Sequence, residues 1–158
     1  MYKFIFALII IVFCLMLQAM QLDEQVAVRT LFQVKHAVNR AVHAAAGQID
    51  EELLHRGKLQ IDERKATAAA LWYLQQNLSL NEHNEPLPTS LLKDEVDIVL
   101  FEVINDESFP YTYRSEDDHF AVTLDRPGVI MIVGVNYPQA FSLLGDIRWT
   151  VKGTAQLY

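Results

Sequence analysis

The feature that most constrains this chain is a run near its start with no charge in it. FIFALIIIVFCLMLQAM, residues 4–20, passes seventeen residues without a charge, and the first acid is Asp23. No glycine precedes Gly47 and no proline precedes Pro86, so nothing in the backbone chemistry ends a helix begun here. Spanning the hydrocarbon of a bilayer takes roughly 17–25 apolar residues. Tyr2 to Leu22 satisfies that once Lys3 snorkels outward and Gln18 and Gln21 reach the headgroups. A secretory signal would need small residues at the −3 and −1 positions of a cleavage site. The best candidate, after Ala19, puts Leu17 at −3. The run is therefore read as a retained anchor rather than a cleaved signal or a buried core helix.

In that reading Phe4, Ile5, Phe6, Leu8, Ile9, Ile10, Ile11, Val12, Phe13 and Leu15 meet lipid. Lys3 flanks one side and Asp23 with Glu24 the other. The positive-inside tendency then predicts a single-pass protein of the cell membrane, N-terminus cytoplasmic and C-terminal domain extracellular. Cys14 follows Phe13, whereas lipidation requires a small preceding residue, so this cysteine is read as apolar surface facing lipid or a partner helix. It is the chain's single cysteine, and the fold must be stabilised by packing without an internal disulfide.

Length and charge narrow the classes. At 158 residues there is room for one domain plus an extension. A net charge of −7, without clustered Lys and Arg, excludes a nucleic-acid partner.

Beyond the run, the helix is expected to continue to Ala46, about 68 Å in all. Leu31, Val34, Val38, Ala41, Ala45 and Ile49 recur at spacings of three and four, with Arg29, Lys35, His36, Asn39, Arg40 and His43 largely between them. The stripe Leu31, Val34, Val38, Ala41 and Ala45 is suited to packing against sister subunits or against the chain's own sheet. Gly47 and Gly57 are breakers, Asp62 is a plausible N-cap, and a second helix is predicted from Glu63 to about Leu78. Ala66, Ala69, Ala70, Tyr73, Leu74 and Asn77 sit there at helical spacing, small enough for close approach to a neighbour. NEHNEPLPTS then closes the helical half.

After Ser90 the period changes to two. EVDIVLFEVI (95–104), HFAVTL (119–124), GVIMIVGV (128–135) and IRWTVKGTAQLY (147–158) read as four strands, and DRPG, 125–128, predicts a hairpin between the second and third. In the last strand Ile147, Trp149 and Val151 share a face, with Arg148, Thr150 and Lys152 opposite. The expected fold class is α+β: a long N-terminal transmembrane-to-ectodomain helix, a second helix, and a four-stranded, mostly antiparallel sheet. The implied segments are an anchor over 1–22, a helical spine over 23–60 and an extracytoplasmic α+β domain over 61–158.

Catalytic patterns are sparse. Ser142 in AFSLLG lacks a glycine-flanked nucleophile elbow. His36 and His43 lie seven residues apart, about 10.5 Å along a helix, too far to share a metal. His55, His83 and His119 have no partner at ligand spacing, so no enzyme, metal or other cofactor is expected. SEDDH, 115–119, with Asp106 or Glu107 reads as a solvated acidic loop because calcium needs six or more oxygens from an ordered cage. FPYTY, 109–113, either packs under a loop or offers an aromatic binding surface. An anchored extracellular binding or sensor module using these two loops is the alternative to a structural role.

A membrane helix continuing as the spine of a small antiparallel domain is the pilin layout. AVNRAVHAAA (37–46), IDERKATAAALWYLQQNLSL (61–80), and RPGVIMIVGV with TVKGTAQLY resemble the corresponding stretches of TadE-like minor pseudopilins of tight-adherence (Tad) pili. That resemblance implies a pilin-like fold and a structural or assembly role in a Tad-type pilus or related secretion machinery. It also implies other pilin-like subunits or an assembly platform as partners beside the membrane, with no small-molecule substrate. Processed pilins carry a glycine or alanine before the cleavage point and a glutamate soon after it. Met1 to Leu17 contains no glutamate and no glycine, which implies an uncleaved accessory component.

Overall fold

A computed structural model describes residues 2–105, 108–115, 120–136 and 148–158. Its first element is one unbroken helix, α1 (Tyr2–Ala46), as the absence of breakers predicts. Gln48 N donates to the carbonyl of Ala45 and Ile49 N to that of Gly47, which turns the chain out of the helix. A five-residue helix, α2 (Glu51–His55), follows under an Asp50 cap, and Gly57 at φ 77° supplies the left-handed residue that reverses the chain after it. Helix α3 (Glu63–Leu78) starts where the Asp62 carboxylate accepts Lys65 N–H at 3.0 Å, and it ends at Ser79, which is left-handed at φ 54°.

After an irregular stretch over 79–96, the strands are antiparallel. Strands β1 (Asp97–Ile104), β4 (Gly128–Asn136) and β5 (Arg148–Gln156) form one sheet in the order β1-β4-β5. Strands β2 (Tyr111–Arg114) and β3 (Ala121–Leu124) form a separate pair. The chain is thus α+β, with five strands in two sheets among the described residues instead of the four in one expected. The hairpin expected across DRPG does not form: β3 pairs with β2, while β4 is flanked on both edges by β1 and β5. The turn joins the two sheets and is held to the end of β5, where Leu157 N donates to Pro127 O and Asp125 N to Gln156 Oε1. Strand β2 was hidden in FPYTY, whose alternation over four residues is too short to register beside a proline.

Strand β4 is buried along eight consecutive residues because both of its faces are covered. Val129, Met131, Val133 and Val135 join α1 and α3 in the main core, whereas Ile130 joins Ile104 and Leu124 under the β2–β3 pair. A register shift between Ile98 and Leu100 turns β1 over locally. It leaves Val99 exposed, so Ile98 packs on the same core as Phe101 and Val103. In β5, Trp149, Val151 and Ala155 pack with the main core, as the alternation predicts; Ile147 lies outside the described residues.

Helix α1 receives this layer closely. A Cβ added at Gly153 would stand 2.7 Å from Val38 Cγ1, so only glycine lets the strand cross the helix there. Asn105 pins the far corner, accepting from Ile61 N at 2.8 Å and donating to Ile61 O at 2.9 Å.

Candidate functional site

The candidate site is α1 itself, which has two unlike parts. Phe4, Ile5, Phe6, Leu8, Ile9, Ile10, Ile11, Val12, Phe13 and Leu15 are all 45–74% exposed. Each such side chain gains roughly 1.5–3 kcal/mol on leaving water, and together they exceed the folding free energy of an ordinary domain. The helix is long and apolar enough to cross a membrane, and no residue of its most apolar window is buried by the rest of the chain. Cys14 lies exposed in this part with a free thiol.

The second part begins at Thr30, the first buried residue of α1, whose hydroxyl donates back to Val26 O at 2.8 Å. From there Val34, Ala37, Val38, Ala41, Val42, Ala45 and Ala46 are buried. Four of the five expected packing residues, Val34, Val38, Ala41 and Ala45, are therefore covered by the chain's own α3 and sheet, and Leu31 is 37% exposed. Ile49 follows the end of the helix and bridges to Ile61. On α3 the buried line is Ala66, Ala70, Leu74 and Leu78 at strict spacings of four; Tyr73 is 40% exposed. Asn77 ties the helices together: Gln33 Nε2 donates to its carbonyl at 3.2 Å, and Arg40 Nη1 to its side-chain oxygen at 2.6 Å.

The loops read as possible binding elements resolve differently. Phe109, Tyr111 and Tyr113 pack against the Ile104, Leu124 and Ile130 cluster, so the FPYTY aromatics serve the second core. Asp106, Glu107, Ser142 and 116–119 of the SEDDH stretch lie outside the described residues. Among the described residues no group of three His, Cys, Asp or Glu side chains could hold a metal ion. An open cleft of about 500 Å³ lies between His43, the Asp125–Arg126 turn and the end of β5, with the His43 and Tyr158 rings stacked 6.3 Å apart beside it.

Among the described residues, a carboxyl at the start of α3 is clearly perturbed. The Lys65 backbone N–H donated to Asp62 holds that carboxyl below its ordinary value of 3.8, and the Lys65 ammonium, 3.4 Å away, adds to the effect. Two positional requirements escaped sequence reasoning. Gly153 was visible only as a small residue within an alternating strand. Gly134 clears space for the Arg148 guanidinium, which reaches across β4 to Asp97.

Comparison with known proteins adds no identification: no family model matches the sequence, and no curated protein or solved structure matches it significantly.

Proposed function

We propose that this is a single-pass, membrane-anchored, pilin-like subunit with a structural or assembly role, of the kind found in Tad-type pili or related secretion machinery. One observation carries the reading. A single helix is uncovered and apolar all round in its first part, then becomes the spine of an α+β domain in its second. With Tyr2 to Leu22 in the hydrocarbon, Thr30 emerges about 12 Å further along the axis, just past the headgroup layer. The domain then stands directly on the bilayer surface, rigidly joined to its anchor, outside the cell if Lys3 remains on the cytoplasmic side.

The partners in this reading are lipid and further pilin-like chains, and no catalytic chemistry enters it. Because Val34, Val38, Ala41 and Ala45 are already occupied within the chain, contact between copies falls to other surfaces, the anchor and the outer face of α1 among them. The test is a scan of single cysteines through residues 10–20 in a Cys14→Ser background, oxidised in native membranes, with intact mass measured on the extracted protein. Helically periodic dimer formation and a mass retaining residues 1–20 are expected. A soluble mature chain beginning near Met20, or uniform absence of crosslinks, would refute the assignment.

A further inference from the structure

We propose that the outer face of α1 docks onto a second copy of this chain through that copy's acidic 82–95 loop. The inference rests on the pilin-like reading and specifies where neighbouring copies meet.

The first surface is the side of α1 opposite its buried stripe. Arg29, Phe32, His36, Arg40 and His43 are exposed there at spacings of three, four and seven, with Lys35 exposed at the flank, a strip about 21 Å long. No acid occurs in α1 after Glu24. Among the described residues Arg29 and Lys35 have no carboxylate partner, and Arg40 bonds the neutral Asn77 side chain. Subtracting the strip's three permanent charges from the net −7 leaves −10 on the remainder, so the strip is basic on an otherwise acidic molecule. Phe32, 55% exposed, adds an apolar contact near its membrane end.

The second surface follows α3. Glu82, Glu85, Asp94 and Glu95 are exposed, and Val96 N donates to Asn84 O at 3.0 Å, which folds the two acidic pairs beside each other. Helix α3 runs antiparallel to α1, since Asp62 N bonds Gln48 O at one end and Gln33 bonds Asn77 O at the other. The acidic loop therefore leaves α3 at the level of Gln33, alongside the membrane-near part of the strip. In two copies anchored in one bilayer the surfaces stand at the same height, and docking needs no vertical shift. The contact joins unlike patches, so it is heterologous and can repeat from copy to copy. Individual exposed charge pairs are weak and salt-screened. Confinement to a bilayer raises the effective concentration at which several act together.

The test is energy transfer between donor- and acceptor-labelled copies of the full chain, carrying Thr67→Cys on a Cys14→Ser background, in phosphatidylcholine vesicles. Association is expected to weaken about tenfold between 50 and 500 mM salt. It should weaken by about the same factor in Arg29→Glu with Lys35→Glu, and in Glu82→Lys with Glu95→Lys. Mixing these two variants should restore transfer, because each then offers the surface the other lacks, and the restoration also shows that both are folded. Association indifferent to salt and to both reversals would overturn this contact while leaving the pilin-like reading intact. No transfer at any surface density would sink both. A mixture no stronger than its components, or transfer that requires phosphatidylglycerol in the vesicles, would assign the strip to something other than a second copy.

Discussion

Residues 2–22 and 30–46 belong to the same helix, yet they make opposite demands on their surroundings. The first part is apolar on every side, so no single neighbour within a small domain can cover it, and none does. The second part is apolar along one stripe, and one layer suffices: α3 and the sheet bury Val34, Val38, Ala41 and Ala45 while Arg29, Lys35 and Arg40 stay in water. The angular width of the apolar surface separates the two regions more clearly than its amount. Strand β4 illustrates the intermediate case: GVIMIVGV is apolar on two faces, and it lies between α1 with α3 on one side and the β2–β3 pair on the other.

If the contrast is real, charges placed in the two parts must fail in different ways. Val38→Glu puts an unpaired carboxylate where the wild-type side chain is 0% exposed. A loss of about 3 kcal/mol or more is expected in thermal or denaturant unfolding of the domain, with partition into membranes unchanged. Ile10→Arg is the mirror experiment. It should cost about 2.5–3.5 kcal/mol in membrane insertion, measured by glycosylation-mapped or protease-protected translocation, and leave the unfolding midpoint of the domain where it was. A shift of that midpoint by Ile10→Arg would show that the anchor packs on the domain and that the division at Thr30 is misplaced.

The packing within the second part can be tested more finely. Gly153→Ala sets a methyl 2.7 Å from Val38 Cγ1 and is expected to destabilise by about 2 kcal/mol. Adding Val38→Ala removes the opposing methyl groups, so the double variant should lose less than the sum of the two single changes. Strict additivity would mean that strand β5 shifts away from the helix instead of pressing on it.

Much of this was legible because it depends on local chemistry. Missing breakers delimit α1, Asp62 starts α3, and the alternation of Trp149 and Val151 orients β5. What was not legible depends on distant partners. DRPG is an adequate hairpin turn, but β4 already gives one edge to β1 and the other to β5, so β3 turns away to Tyr111–Arg114. The parity reversal at Val99 is set by which residues of β4 lie opposite, and a two-residue period cannot register it. Leu31 shares its angle around the helix with Val38 and Val42, which are 0% exposed, yet it lies near the membrane-side end of the covered stretch and stays 37% exposed. The function of the anchor's exposed surface is a question about other molecules, which no intrachain regularity encodes.

The smallest effect expected is at the Asp62 cap, which closes the chain's return toward α1. Its carboxyl is held below 3.8 chiefly by the hydrogen bond from Lys65 N–H, against an opposing contribution from desolvation, and the Lys65 side chain adds to the lowering. A depressed folded-state pKa means that the native chain binds the proton less readily than the unfolded one. The stabilisation is therefore complete above the unfolded value and disappears as pH falls through the folded one. Asp62→Asn keeps a side-chain acceptor for the same N–H but loses the titration. The stability difference between wild type and Asp62→Asn should thus be constant above about pH 5 and shrink as pH drops below 3.8. Because the group is partly open to solvent, the difference should also narrow at high salt. A difference that instead grew on acidification would mean that the protonated acid is the form α3 prefers, and that the Lys65 contact does not hold the cap.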